Sequence, residues 1–153
     1  MSWDPYALEL VKDGKCYASG VFGRDGSTWA VSGMTLSTYD SEVDNLDTGV
    51  KDKVTVNEPA LLQECSTTLG DMKSAVGLWV NGEKWQVVSN NEVANSVYFI
   101  KAGRGGCVTT TNQCMIVGLY DTSLKDTAGA MQNKGTANQI VEELAEKLKG
   151  AGY

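Results

Sequence analysis

The chain has 153 residues, of which 42% are hydrophobic and 21% charged, a composition that suits one globular domain with a core of its own. Its 13 basic and 19 acidic side chains give a net charge of −6, which opposes general attraction to nucleic acid or anionic lipid. No run of 18 apolar residues occurs, and the four cysteines lack CxxC spacing, so we expect a single cytoplasmic domain over residues 1–153 with buried, reduced thiols.

Helix and strand signals alternate over the first third of the chain. A short helix is predicted over 3–11, and a hairpin with strands at 16–22 and 27–31 follows it. This hairpin places Trp29 in the middle of its second strand. Residues 32–53 are polar and acidic with few large hydrophobic side chains, so we expect a long connection there with at most short ordered pieces.

The middle of the chain combines one helix with a run of strands. The pattern Asn57-Glu-Pro-Ala60 is typical of a helix N-terminus, and a helix is predicted over about 58–68. Asn81-Gly82 lies between two β-rich runs, which is the strongest short-range hairpin signal. A Gly-rich turn is expected at 103–106. The further strands of an antiparallel meander are predicted at 97–101, 106–110 and 114–120.

An amphipathic helix is predicted to close the chain. Thr136-Ala-Asn-Gln139 has the form of a capping box, and behind it Ile140, Leu144 and Leu148 recur at every fourth position. Charged side chains, Glu143 among them, occupy the opposite side of this helix. Strands in the middle of the chain with helices towards both ends predict an α+β fold built on an antiparallel sheet.

Little in the sequence supports an enzyme. The chain has no histidine, which removes the commonest general base and the usual imidazole metal ligands. Its carboxylates gather in the polar connection and on the exposed side of the last helix, where a solvated surface explains them. The segment Lys101-Ala-Gly-Arg-Gly-Gly106 lacks the Gly-Lys-Ser/Thr ending of a phosphate-binding loop. We therefore expect no catalytic residues, no metal and no cofactor.

Aromatic residues near the two ends of the chain are the best functional signal. Trp3 and Tyr6 lie three positions apart at the start, and Tyr153 ends the closing helix. Indole and phenol rings carry flat apolar faces and one hydrogen-bond donor each, which suits an extended ligand rich in carbonyl groups, such as a proline-rich segment. By contrast, Trp79 and Trp85 lie in the predicted hairpin, where cross-strand packing explains them.

Seven blocks of sequence, taken in order, resemble the profilin family: MSWDPY, STWAVSG, VNEPALL, GLWVNGEKWQVV, KAGRGGC, NQCMIVGLYD and AEKLKGAGY. No single block is decisive, but their order and separations match over nearly the whole chain. The polar connection before Asn57 is longer than in animal or plant members, and the pattern is most similar to profilins of ciliates and apicomplexans.

The resemblance implies a profilin-like fold, in which a central antiparallel sheet carries the N- and C-terminal helices together on one face and a further helix on the other. It also implies two partners, monomeric actin and proline-rich proteins such as formins. Lys147 stands where animal members carry a histidine. The residues that match the polyproline-binding positions of the family are Trp3, Tyr6, Trp29, Lys147, Leu148 and Tyr153.

The actin-binding positions of the family fall mainly on the closing helix. Gln139 occupies a place that lysine often holds, so an ion pair to actin is expected to be missing there. The residues that match actin-facing positions, together with three basic candidates from the neighbouring strands and turn, are Lys84, Lys101, Arg104, Asn133, Gly135, Asn138, Gln139 and Glu143.

The leading hypothesis is therefore an actin-binding adaptor of the cytoplasm and cytoskeleton that delivers actin monomers to assembly factors and regulates polymerisation. Its rival is a module for proline-rich peptides with weak or no actin binding, favoured by Gln139 and the altered connection. A small enzyme using Asp or Cys chemistry is a third class, which the absent histidine argues against. Phosphoinositide binding, implied by the family, is expected to be weak at most because of the net charge.

Overall fold

A computed structural model describes residues 2–153 and contains three helices and nine strands in this part of the chain. The helices are α1 (Asp4–Val11), α2 (Glu58–Thr67) and α3 (Lys134–Gly150). The strands are β1 (Ala18–Gly23), β2 (Thr28–Ser32), β3 (Thr38–Asp44), β4 (Lys51–Asn57), β5 (Leu78–Val80), β6 (Glu83–Asn91), β7 (Ser96–Lys101), β8 (Arg104–Thr110) and β9 (Cys114–Asp121).

Seven strands form one antiparallel sheet in the order β2-β1-β9-β8-β7-β6-β5. Helices α1 and α3 touch each other on one face of this sheet, where α1 contacts β1 and β2 and α3 contacts β8 and β9. Helix α2 contacts β5, β7 and β8 and packs on the other face. The predicted α+β fold, with the terminal helices together on one face, is confirmed.

Both faces of the sheet are covered by apolar cores. Neighbouring residues of a strand point to opposite faces, so Val21 and Phe22 of β1 belong to different cores. Phe22 and Phe99 pack beneath α2, whereas Val21 and Ile116 pack beneath the terminal helices. Burial on both faces explains why β1, β8 and β9 are almost continuously buried.

The expectation of a largely unstructured connection at 32–53 is wrong. Strands β3 and β4 pair over seven residues each as a separate two-stranded sheet. Alternate residues of this hairpin, Tyr39 and Val43 among them, turn towards the core beneath α2, and the intervening positions are exposed. Opposite charges face each other across the strands, with Glu42 beside Lys53, so a polar composition is compatible with a strand pair.

Two predicted boundaries also shift. Helix α3 begins at Lys134, because the side chain of Asn133 accepts a hydrogen bond from the amide of Thr136 at 2.9 Å; the cap is therefore Asn133 and not the predicted Thr136. The Gly-rich turn expected at 103–106 is misplaced: the turn between β7 and β8 consists of Ala102 and Gly103, which both have positive φ. Arg104 already belongs to β8 and pairs with Lys101 of β7.

One buried carboxylate joins three separate parts of the chain. Glu58 at the start of α2 is 1% exposed. Its Oε1 accepts from the amide of Ser37 at 3.0 Å, and its Oε2 accepts from the hydroxyl of Tyr39 at 2.6 Å and the amide of Gly82 at 2.7 Å. Burial and the bond to Glu58 raise the pKa of Tyr39. Glu58 thereby links the base of the β3–β4 hairpin to the β5–β6 turn.

Replacing this carboxylate is expected to destabilise the fold. Glu58→Ala leaves three donors without their acceptor, so the free energy of unfolding should fall by roughly 3 kcal/mol. Gln63→Ala changes an exposed residue of the same helix and should cost about 0.5 kcal/mol or less. Urea unfolding followed by circular dichroism measures both. Equal stabilities of the two variants would show that the Glu58 network contributes nothing.

Candidate functional site

Four aromatic rings from three elements meet at one surface. Trp3 is at their centre: its ring centroid lies 5.3 Å from that of Tyr6, 4.7 Å from Trp29 and 4.9 Å from Tyr153. All four side chains are partly exposed and rest on the buried core beneath the terminal helices. We call these four residues the aromatic platform.

Backbone contacts fix the elements that carry the platform. The hydroxyl of Ser19 in β1 donates to the carbonyl of Ala7 at 2.6 Å, which holds α1 against the sheet. The amide of Tyr153 donates to the carbonyl of Leu148 at 2.9 Å, and its carbonyl accepts from the amide of Gln113 at 3.0 Å. The last residue is therefore fixed both to α3 and to the β8–β9 turn.

The two remaining polyproline candidates differ in their exposure. Leu148 is 1% exposed and lies beneath the rings, so it supports the platform and is not part of its surface. Lys147 is exposed: its ammonium group lies 6.0 Å from the centroid of Tyr6 and 3.4 Å from a carboxylate oxygen of Glu9. A cation therefore stands at the position that the resemblance assigns to histidine.

The candidate actin-facing residues form a second surface on the same helix. Gly135, Asn138, Gln139 and Glu143, here called the α3 outer face, line a shallow groove of about 480 Å³ together with Tyr98 of β7. The amide of Gln139 donates to the carboxylate of Glu143 at 2.9 Å. The Oδ1 atom of Asn138 is buried and has no hydrogen-bond partner. The Asn133 side chain is engaged as the helix cap.

Strand residues that the sequence did not single out extend this surface. Val88 and Ile100 are 47% and 40% exposed, and they line a groove of about 580 Å³ beside Gly135 and Asn138. Burial, more than the hydrogen bond that Tyr98 donates to Glu142, raises the pKa of the Tyr98 hydroxyl to about 12. Because Phe99 fills the core beneath α2, the alternation of β7 could have indicated that its neighbours face the α3 side.

The three basic candidates do not add unpaired charges to the α3 outer face. Arg104 donates two hydrogen bonds to the carboxylate of Glu83 at 2.6 and 2.7 Å, and Lys101 lies 3.3 Å from the same group. The bond from Arg104 is the largest cause of the lowered pKa of Glu83. Lys84 is exposed and lines a groove with Trp79 and the β3–β4 hairpin.

The described residues bear on two kinds of chemistry, metal binding and thiol reactivity. Among residues 2–153, no group of three or more His, Cys, Asp or Glu side chains is placed to hold a metal ion. Burial raises the pKa of the Cys16, Cys65 and Cys107 thiols to about 12, which keeps them protonated and unreactive at neutral pH. None of the described helices is long and apolar enough to cross a membrane.

Comparisons with known proteins agree with this architecture. The sequence model of the profilin family matches residues 1–153. Profilin of Tetrahymena pyriformis is 31% identical over 157 residues, which cover 99% of this chain and 98% of that protein. The solved structure of Acanthamoeba castellanii profilin IB has a TM-score of 0.71 and 25% identity, and covers 99% of this chain and all of that one. The chain therefore belongs to the profilin family of actin-binding proteins.

Proposed function

We propose that this chain binds proline-rich segments on its aromatic platform and monomeric actin on the α3 outer face and the adjoining strands. In doing so it delivers actin to assembly factors such as formins and regulates polymerisation in the cytoplasm and cytoskeleton, without enzymatic activity. The observation that carries the proposal is the convergence of Trp3, Tyr6, Trp29 and Tyr153 at one partly exposed surface.

Two solved profilins of the same fold support the choice of partners. Mouse profilin IIa was solved with a double repeat from the FH1 domain of mDia1, and LokiProfilin1 was solved with rabbit actin. Their TM-scores against this chain are 0.62 and 0.60. Both are 14% identical to it, so the likeness is one of fold, and the residues of each surface have to be argued from this chain.

The structure of a polyproline II helix is complementary to the aromatic platform. A polyproline II helix has no internal hydrogen bonds, presents its carbonyl groups to the surroundings, and loses little conformational entropy on binding because it is already formed. Flat rings contact the pyrrolidine faces, and indole N–H and phenol O–H groups donate to the carbonyls. Trp3 touches three other rings, so it is the natural centre of such a site.

The α3 outer face extends along α3 from Gly135 to Glu143, and the aromatic platform lies beyond the C-terminal end of this helix. Lys147, which lies beside Tyr6 of the platform, is nine positions from Asn138 and four from Glu143, which at 1.5 Å per residue corresponds to roughly 14 Å and 6 Å along the helix axis. An actin interface of the order of 2,000 Å² would extend from Asn138 away from the platform, over Tyr98, Ile100 and Val88. Both partners can then be bound together.

One observation favours the rival proposal. In that proposal the chain binds proline-rich peptides but binds actin weakly or not at all. Gln139 is neutral and bonded to Glu143, and Lys101 and Arg104 share the single carboxylate of Glu83, so these candidate residues offer few free cations to actin. Pull-downs from cell extract on poly-proline beads and on immobilised actin separate the proposals. Retention on both supports the adaptor, and retention on poly-proline alone supports the rival.

Truncating the platform should weaken the binding of proline-rich ligands. Trp3→Ala or Tyr153→Ala is expected to cost about 1–3 kcal/mol of binding free energy for decaproline, because each removes an aromatic anchor from a small interface. Fluorescence anisotropy of a dye-labelled decaproline measures this without relying on the removed indole. Trp79→Phe, in the core beneath α2, is the control and should leave the affinity unchanged. Unchanged affinity in both platform variants would refute the assignment.

Reversing a charge on the α3 outer face should weaken actin binding. Glu143 is exposed and lies opposite the buried seam of α3, so Glu143→Lys should lower the affinity for actin monomers by about 1 kcal/mol, or fivefold, without loss of thermal stability. Pyrene-actin assembly measures the sequestration of monomers. Asp71→Lys reverses an exposed charge just after α2 and is the matched control. Equal sequestration by both variants would show that actin does not contact this helix at Glu143.

Binding to phosphoinositide vesicles should be weak. Each basic residue near an anionic surface contributes about 1 kcal/mol, and here Lys101 and Arg104 already share the carboxylate of Glu83. We expect no co-sedimentation with vesicles containing phosphatidylinositol bisphosphate at about 150 mM salt. Glu83→Gln frees both cations and should increase vesicle binding at low salt. Tight co-sedimentation of the unmodified protein would contradict the prediction.

A further inference from the structure

A charged groove runs between the two terminal helices and adjoins the aromatic platform. It has a volume of about 340 Å³, and three half-buried or buried apolar side chains, Leu10, Ile140 and Leu144, contribute to its lining. Leu10 and Leu144 belong to the same core on which the platform rings rest. Lys147 lines the groove and its ammonium group lies 6.0 Å from the ring centroid of Tyr6, so the groove lies next to the platform.

The charges around this groove favour a cation. Five charged side chains line it, three acidic and two basic: Glu9, Asp13, Glu143, Lys12 and Lys147. The pair of Lys147 and Glu9 is long, at 3.4 Å, and both side chains are well exposed, so it holds Glu9 only weakly. Asp13 is exposed. The three acids and two bases leave one net negative charge at the groove, in a protein that is itself acidic.

We propose that this groove binds a lysine or arginine that flanks the proline run of the ligand, and that Glu9 and Asp13 determine a preference for such ligands. The aliphatic stem of the basic residue lies along Leu10, Ile140 and Leu144, and its head group faces the carboxylates. Long basic side chains commonly divide in this way between an apolar surface and a polar rim. The inference rests on the proposed binding of proline-rich segments.

The distance between the platform and the groove fixes the position of the basic residue. The ammonium group of Lys147 lies 6.0 Å from the ring centroid of Tyr6, and Lys147 is the lining residue of the groove that approaches this ring; its position is here called the entrance. Polyproline II advances about 3.1 Å per residue, so the entrance is about two residues beyond the proline that packs on Tyr6. A basic residue directly after or before the proline run is therefore within reach, because its own side chain adds several ångströms.

The test compares three dye-labelled, end-capped peptides: plain decaproline, decaproline with one lysine at either end, and decaproline with one glutamate at either end. The full chain should bind a lysine-flanked peptide about threefold tighter than the plain peptide at low salt. This ratio should fall to about one in the double variant Glu9→Gln, Asp13→Asn. It should also fall to about one at about 0.5 M salt, where exposed charges are screened.

A second double variant is the control for general attraction between a cationic peptide and an acidic protein. Asp44→Asn, Asp47→Asn removes the same charge from the end of β3 and the loop after it, and should keep the threefold ratio. An equal loss in this control, a preference for the glutamate peptide, or no effect of the flanking residue would each overturn the inference while leaving decaproline binding intact. Failure to bind any of the peptides would overturn the proposed function as well.

Discussion

The docking of α3 on the sheet is the interaction on which both proposed surfaces depend. Val141, Leu144, Ala145 and Leu148 are buried against β8 and β9, and Gly118 of β9 allows the close approach. A Cβ atom at Gly118 would lie 2.6 Å from Cγ2 of Val141, a distance that packed side chains do not reach. The absence of a side chain at this one position therefore sets how near the helix lies to the sheet.

Polar contacts at the two ends of α3 fix its direction and register. Before its start, the buried side chain of Gln132 donates to the carbonyl of Gly14 and accepts from the amide of Asp121. At its end, Tyr153 is joined through its backbone to Gln113. One helix, held at both ends, thus presents its outer face to one proposed partner and fixes the chain end that contributes Tyr153 to the surface for the other. The distance between the two surfaces is a property of the helix and not of a flexible linker.

Much of this arrangement could be predicted from the sequence, since both amphipathic helices and the Asn-Gly hairpin have strong local signals. The β3–β4 hairpin was not predicted, because its inward positions, such as Tyr39, Ser41 and Val43, alternate with acids and include a polar residue. The acidic composition of the segment therefore indicated a loop and hid the two-residue alternation of a strand. The pairing of Arg104 and Lys101 with Glu83 depends on the register of three strands, which no spacing in the sequence specifies. The proximity of Trp3 to Tyr153 likewise follows from tertiary packing alone, and only the family resemblance anticipated it.

The α3 outer face and the aromatic platform are proposed as separate binding surfaces that can be occupied together. The most direct measurement is the affinity of labelled decaproline for the full chain with and without saturating monomeric actin. Independent sites predict that the two affinities agree within about twofold. Displacement of decaproline by actin, in proportion to the actin bound, would mean that the surfaces overlap and would contradict the account.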